Sequence, residues 1–228
     1  MKTIAIMIAG NASENIEEKV GSKRQWYRQR LSQFNCKIKF VEIFNDSLSY
    51  DFSKDDAWII TGSEYSVYDD LNWLQSFKIL LLNAINNNIP ILGICFGHQL
   101  LADTLNGEVE KNLKGWEVGY SNVELTSKGL ESNIYTGFSH KFYAAETHQD
   151  VVIKLPDNCN LLAENNMGIQ SFQYKKNVFG VQFHPEFDNK IMDAYIKMRQ
   201  KNGINISSPE VFDLSMAHNI FNNFFNLI

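Results

Sequence analysis

The sequence predicts an α/β fold, a mostly parallel sheet with helices on both faces and an antiparallel strand extension. Three observations predict it. Short, wholly apolar runs alternate with amphipathic helical stretches through the first half of the chain, the pattern of a parallel sheet covered on both faces. Short strands separated by turn signals occupy much of residues 118–183, which is how antiparallel strands read. Finally, 228 residues at 44% hydrophobic and 21% charged can bury a large core without staples.

The elements follow in order. Thr3 to Ala9 is apolar without alternation and reads as a buried first strand; charged helical sequence follows at once, unlike a secretory leader. Ile16, Val20, Trp26, Tyr27, Leu31 and Phe34 fall on one side of a charged segment, predicting a helix over 16–34. Lys37 to Phe44 alternates as a strand, and Ala57 to Thr61 is a short buried strand ending at Gly62. Leu71, Leu74, Phe77, Leu81, Leu82 and Ile85 carry a helical period over 71–88, closed by Asn86, Asn87 and Asn88. Ile89 to Cys95 reads as a strand, and His98 to Asn106 as a helix with Gly107 at its C-cap. Strands are expected at 118–125, 142–148, 161–164, 169–175 and 178–183, then helices at 188–202 and 209–226. No repeat, linker or charge block divides the chain. Residues 1–228 therefore read as one domain, with 188–228 packed on the rest.

Composition narrows the function. The balance of 21 Lys+Arg against 26 Asp+Glu gives a net charge of −5, which is no footprint for nucleic acid. No apolar run approaches the roughly 18 residues a membrane span requires. Cys36, Cys95 and Cys159 are an odd, scattered set, expected in a reducing compartment. A cytoplasmic protein without nucleic-acid or membrane partners is expected. No cofactor is expected either: neither G-x-x-x-x-G-K-[ST] nor G-x-G-x-x-G occurs, and no H-x-x-H, C-x-x-C or HExxH spacing marks a metal site.

The chemistry concentrates in Gly93-Ile94-Cys95-Phe96-Gly97-His98-Gln99. This G-x-C-x-G run sits between a predicted strand and a predicted helix, the cysteine form of a nucleophile elbow. A helix N-terminus lowers a thiol pKa, so Cys95 is expected to be thiolate-prone. A cysteine nucleophile needs a base, and the base an orienting acceptor. Val181-Gln182-Phe183-His184-Pro185-Glu186 supplies both, because Pro185 takes the chain out of the sheet with His184 and Glu186 at its carboxyl edge. In extended geometry, side chains two apart point the same way.

Gly93 to Gln99 and Val181 to Glu186 together resemble the class I, triad-type glutamine amidotransferase family, with its flavodoxin-like α/β fold. Gly62-Ser63 and Ser66-Val67-Tyr68-Asp69 resemble that family's oxyanion segment. Leu100-Leu101-Ala102, Gly107 and Lys114-Gly115-Trp116-Glu117-Val118-Gly119 extend the likeness, which covers residues 3 to about 187 and is nearest to stand-alone GMP synthase-like members. The resemblance implies that Cys95 attacks a glutamine side-chain amide, giving a γ-glutamyl thioester and ammonia. His184 would move the protons and Glu186 would orient His184. The oxyanion would meet the N–H groups of Phe96 and of Gly62 or its neighbour Ser63, and Gln99 would help hold the substrate. The family often has proline after the Gly-Ser pair, where this chain has Glu64. His98 is expected to buttress the elbow. Thr147-His148-Gln149-Asp150 resembles an H-x-D element, with His148 and Asp150 either lining the pocket or fixing a loop. Two other readings stand beside this one: a stand-alone γ-glutamyl hydrolase or peptidase, and a non-catalytic regulatory subunit. The length is expected to leave no room for a synthetase half, so either an ammonia acceptor is activated by a separate synthase chain or the protein hydrolyses a γ-glutamyl amide alone.

Overall fold

The computed structural model describes residues 1–45, 49–206 and 210–228. The chain runs β1 (Lys2–Ile8), α1 (Glu14–Val20), α2 (Lys23–Leu31), β2 (Cys36–Glu42), β3 (Ala57–Ile60), α3 (Asn72–Asn86), β4 (Ile91–Ile94) and α4 (Phe96–Thr104). Then come β5 (Glu108–Lys111), β6 (Glu117–Leu125), α5 (Ser127–Glu131), a 3-10 turn (Asn133–Tyr135), β7 (Lys141–His148), β8 (Asp150–Lys154) and β9 (Cys159–Asn165). The last elements are β10 (Gly168–Tyr174), β11 (Val178–Val181), α6 (Asn189–Lys201) and α7 (Ser215–Leu227).

Nine strands form one mixed sheet in the order β2-β1-β3-β4-β11-β10-β9-β6-β7, and β5 pairs with β8 separately. From β2 to β11 the pairs are parallel. Beyond β11 they are antiparallel. This is the α/β architecture with an antiparallel extension that the sequence predicts. The two-residue period of β1 divides its side chains between two cores. Ile4, Ile6 and Ile8 face Tyr27 and Leu31 of α2 and Phe221 and Phe224 of α7. Ala5 and Met7 face Leu74, Phe77 and Leu81 of α3 and Leu100 of α4. Each such large side chain, when wholly buried, contributes roughly 1.5–3 kcal/mol. A third cluster joins Ile16 and Trp26 to Phe187, Ile191, Met192 and Tyr195, holding α6 to the sheet's carboxyl side.

Several expectations are corrected. The single helix at 16–34 is two helices, because Gly21 adopts φ 79 and ends α1, and the Ser22 N–H restarts the chain by donating to Gln25 Oε1 at 2.7 Å. The left-handed residue that ends α4 is Asn106 (φ 68), not Gly107. The Asn106 N–H bonds Asp103 O and the Gly107 N–H bonds Ala102 O, a Schellman closure with asparagine in the glycine position. β5 and β8 were not expected, since each is a short strand of a separate two-stranded pair. Strand β11 stops at Val181 instead of Phe183, and the chain turns there. The helix expected from 209 begins at Ser215; Pro209 itself lies outside the described residues. Among the described residues, no helix is long and apolar enough to cross a membrane.

Candidate active site

The parallel neighbours β4 and β11 each end in one half of the site. β4 delivers Cys95, whose backbone takes φ 52 and ψ −103 at the N-cap of α4. A non-glycine residue in such a conformation stores on the order of 1–3 kcal/mol, which the surroundings must hold. The flanking glycines allow it: a Cβ on Gly93 would lie 2.4 Å from Gly97 O, and one on Gly97 would lie 2.5 Å from Ile60 O. The Cys95 N–H donates to Val181 O at 2.9 Å, tying the elbow to β11.

β11 in turn delivers His184. The backbone N–H of His184 donates to Ala145 O at 2.9 Å, and its ring stacks on Phe187 at 4.2 Å and 16°. Its Nδ1 lies 2.8 Å from Glu186 Oε1, both groups being buried. The pairing is made by a turn, since the Phe187 N–H bonds His184 O at 3.2 Å, and not by the extended geometry expected from the sequence. Arg30 fixes the turn from α2, with Nε on Glu186 O at 3.1 Å and Nη2 on Phe187 O at 2.9 Å. His184 Nε2 is buried with no hydrogen-bond partner among the described residues. It opens on a small cavity that Cys95, Gly62, Ser63, Lys23 and Thr147 also line.

Gly62 is packed against both Cys95 and His184. A Cβ there would lie 2.8 Å from His184 Cε1 and 3.5 Å from Cys95 Cβ. The sequence reading missed the residue that orients this loop. Lys23 is buried, and its Nζ donates to Gly10 O at 2.7 Å and to Gly62 O at 2.8 Å. Burial lowers its ammonium to about 8, against the attraction of Glu186 and Glu64. In a trans peptide the N–H opposes the C=O, so gripping Gly62 O turns the Ser63 N–H away from Lys23. The break between α1 and α2 brings Lys23 here, and only Gly21-Ser22 hints at it in sequence.

A larger cleft opens from Cys95, lined by Ser63, Glu64, Gln99, Trp116, Asp150 and Arg199 among others. Glu64, standing where proline was expected, pairs with Arg199 Nη2 at 3.0 and 3.1 Å. Arg199 is nearly buried, donates from Nε to Thr147 Oγ1 at 3.2 Å and stacks on Trp116 at 4.1 Å. The Glu64 substitution thus ties the loop to α6, a partnership that spacing along the chain could not reveal. Gln99 donates from Nε2 to Asp150 O at 2.8 Å and Gln182 Oε1 at 3.0 Å, so its side-chain carbonyl is the part free to face the cleft. The Asp150 carboxylate accepts from Ser66 Oγ at 2.6 Å and Tyr68 OH at 3.0 Å. It therefore both lines the cleft and fixes the loop. His148 also lines the cleft; its Nδ1 is 3.0 Å from Asp150 O and its Nε2 is 3.0 Å from Glu117 Oε2. Burial alone would lower His148, but Glu117 and Glu146 hold it up to about 10. His98 lies outside both cavities, buried against Phe172 and Gly180, and burial lowers its pKa to about 3.

The expectation of a thiolate-prone Cys95 is corrected. Burial pushes its pKa up, and the charges of Glu146 and Glu186 add to the rise. The Phe96 N–H, the contribution of the helix start, opposes them without prevailing. The resting group is a thiol.

A cysteine on a strained strand-to-helix elbow, beside an imidazole–carboxylate pair on the adjacent parallel strand, places the molecule among α/β proteins of the nucleophile-elbow type. Comparison with known proteins takes this further: the class-I glutamine amidotransferase family model matches residues 18–200, and the chain belongs to that family. Among its relatives is gamma-glutamyl peptidase 4 of Arabidopsis thaliana, 30% identical over 145 residues, which are 62% of this chain and 58% of the relative. The chain thus matches under two thirds of that peptidase's length. A glutamine-hydrolyzing GMP synthase subunit of Sulfolobus acidocaldarius is 34% identical over 171 residues, 72% of this chain and 87% of the relative. A glutamine amidotransferase structure from Methylobacillus flagellatus shares the fold at TM-score 0.78 and 16% identity, covering 100% of this chain and 94% of that one. One from Thermotoga maritima does so at TM-score 0.72 and 20% identity, covering 100% and 93%.

Proposed function

We propose that the chain hydrolyses a γ-glutamyl amide through a thioester on Cys95, with the side-chain amide of glutamine as substrate. The observation that carries this reading is the pair His184 Nδ1–Glu186 Oε1 at 2.8 Å, with unpartnered Nε2 opening on the cavity that holds the Cys95 elbow. Because the resting sulfur is a thiol, His184 Nε2 takes its proton as the sulfur attacks the carbonyl carbon. That same proton passes to the leaving nitrogen when the C–N bond breaks, releasing ammonia. Water, deprotonated by His184, then cleaves the thioester to glutamate, and the proton returns to sulfur.

Glu186 holds His184 in the tautomer that presents a bare Nε2 and stabilises the imidazolium that forms. The oxyanion meets the N–H of Phe96, already directed at the sulfur, and that of Ser63, turned by the grip of Lys23 on Gly62 O. One such donor is worth about 2.7–4 kcal/mol of barrier. Gln99 and His148 are read as binding residues on the cleft wall.

A second reading, γ-glutamyl peptide hydrolysis, is favoured by the cleft itself. It runs past Cys95 to Lys111, Trp116 and Arg199, giving a leaving group larger than ammonia space beside the Lys111 ammonium. The Arabidopsis relative named as a gamma-glutamyl peptidase fits this reading. The Sulfolobus relative, named for GMP synthase, fits the first, with ammonia passing to a separate synthase chain. We read residues 1–228 as one unit serving either reaction. A panel of glutamine against γ-glutamyl dipeptides, with products identified, tests the proposal. Ammonia from glutamine supports the first reading and free amino acid from dipeptides the second. Inertness toward both, alone and with candidate synthase chains, overturns the hydrolytic assignment in favour of a non-catalytic role.

A further inference from the structure

Beside the cleft, on the antiparallel side of the sheet, Glu117, Glu146 and His148 form a buried cluster whose two carboxylates the proposed reaction does not use. Glu117 and His148 are direct cross-strand partners on β6 and β7. Glu146 lies two residues before His148 on the same face, opposite Gly119, which adds no side chain to the space. His148 Nε2 stands 3.0 Å from Glu117 Oε2 and 3.3 Å from Glu146 Oε2. One donor atom from each of the three residues lies within 4.8 Å of the other two.

One member of this cluster is left short of hydrogen-bond partners. His148 Nδ1 lies 3.0 Å from Asp150 O, and a carbonyl only accepts, so Nδ1 carries hydrogen. Nε2 stands beside Glu117, whose carboxylate also accepts from Asn165 Nδ2 at 2.7 Å and Gln170 Nε2 at 3.1 Å. Glu146 is served least: that side chain is fully buried, its Oε2 has only the 3.3 Å approach of His148 Nε2, and Oε1 has no hydrogen-bond partner among the described residues. Orphaned buried carboxylates are costly, and a missing ion is one recognised explanation.

We propose that Glu117, Glu146 and His148 bind one divalent transition-metal ion of the zinc class, through a carboxylate oxygen from each glutamate and Nε2 of the histidine. The ion satisfies all three groups at once. Donor atoms about 2.0–2.2 Å from a tetrahedral zinc lie about 3.3–3.6 Å apart; the spacings from Nε2 are 3.0 and 3.3 Å and all three donors lie within 4.8 Å of one another, so small side-chain shifts would seat the ion. The surrounding shell is that of a metal site: the histidine's second nitrogen donates to a backbone carbonyl, and Glu117 is held by two amides. His148 lines the open cleft, which supplies a route for the ion and for a fourth ligand from solvent. The sequence expectation of no metal rested on linear spacings, and cross-strand pairing of Glu117 with His148 escapes any such search.

The test is metal content and zinc titration of the full chain, stripped with chelator, reloaded with Zn2+ and desalted. Wild type is expected to retain one equivalent. Glu146→Gln and His148→Gln should each bind at least tenfold more weakly, while Cys95→Ser should bind as wild type does, which separates this site from zinc captured by the elbow thiol. Co2+-loaded wild type should show ligand-field bands without thiolate charge transfer, a readout that holds even if a variant fails to fold. Failure of wild type to retain zinc, unaltered binding by Glu146→Gln, loss in Cys95→Ser, or a thiolate charge-transfer band overturns the proposal. None of these readouts depends on turnover, so the site and the proposed reaction stand or fall separately.

Discussion

Replacing Lys23 with methionine separates a positioning role from a structural one. The ammonium donates to Gly10 O and Gly62 O, and losing both bonds orphans two carbonyls at about 1–3 kcal/mol each. Against that, the depression of Lys23 from 10.5 to about 8 means that burying its charge costs about 3 kcal/mol, at 1.36 kcal/mol per pKa unit. Lys23→Met relieves this cost. The net destabilisation is therefore no more than about 3 kcal/mol, and the protein should remain folded. Turnover should suffer more. If Lys23 turns the Ser63 N–H toward the oxyanion, its loss forfeits part of a donor worth about 2.7–4 kcal/mol, a fall in kcat of ten- to a hundred-fold with KM little changed. The assay is hydrolysis of glutamine or a γ-glutamyl anilide, with urea melts of the same samples. The pH dependence gives a second check. The folded pKa is depressed, so between about 8 and 10.5 the unfolded chain binds more protons, and wild-type stability contributed by this group rises with pH across that window. The wild-type advantage in turnover should shrink above about pH 8 as the ammonium is lost. Wild-type kcat in Lys23→Met, or a rate ratio constant from pH 6 to 10, would refute the positioning argument.

Three further outcomes follow from the same geometry. Gly62→Ala places a Cβ 2.8 Å from His184 Cε1; kcat should drop at least a hundredfold, while urea melts show a loss of about 1–2 kcal/mol of stability, within the common range for point mutants. Glu186→Gln keeps the shape of the turn but removes the charge beside Nδ1, so kcat should fall by two or more orders of magnitude with KM within about threefold; steady-state kinetics showing a pure KM effect would exclude the orienting role. Arg199→Lys cannot keep both the Glu64 pair and the stack on Trp116, and should raise KM about tenfold while leaving kcat within about threefold.

Much of the architecture was legible because it follows from burial. The apolar runs at β1, β3 and β4 have no exposed face, and the motif Gly93 to Gly97 carries its own steric reason, since side chains at either glycine would strike backbone. What escaped the sequence depended on the third dimension. Lys23 looks like any helix-surface lysine until the turn at Gly21 aims it inward. Arg199 and Glu64 are 135 positions apart, and Glu117 meets His148 only through strand register. The state of Cys95 was misjudged for a related reason. A helix start is visible in sequence, whereas burial and the carboxylates of Glu146 and Glu186, which oppose it, are not.

The central claim is that Cys95 alone of the three cysteines is a nucleophile toward a γ-glutamyl carbonyl. Burial raises the thiol pKa of all three, Cys159 to about 12. General thiol reactivity therefore does not single out Cys95; the elbow, His184 and the oxyanion donors do. The direct measurement is intact mass and peptide mapping after incubation with an electrophilic glutamine analogue. A single adduct on Cys95, formed in wild type and suppressed in His184→Ala, is the predicted result. Adducts on Cys36 or Cys159, or labelling of Cys95 that is indifferent to loss of His184, would contradict the account.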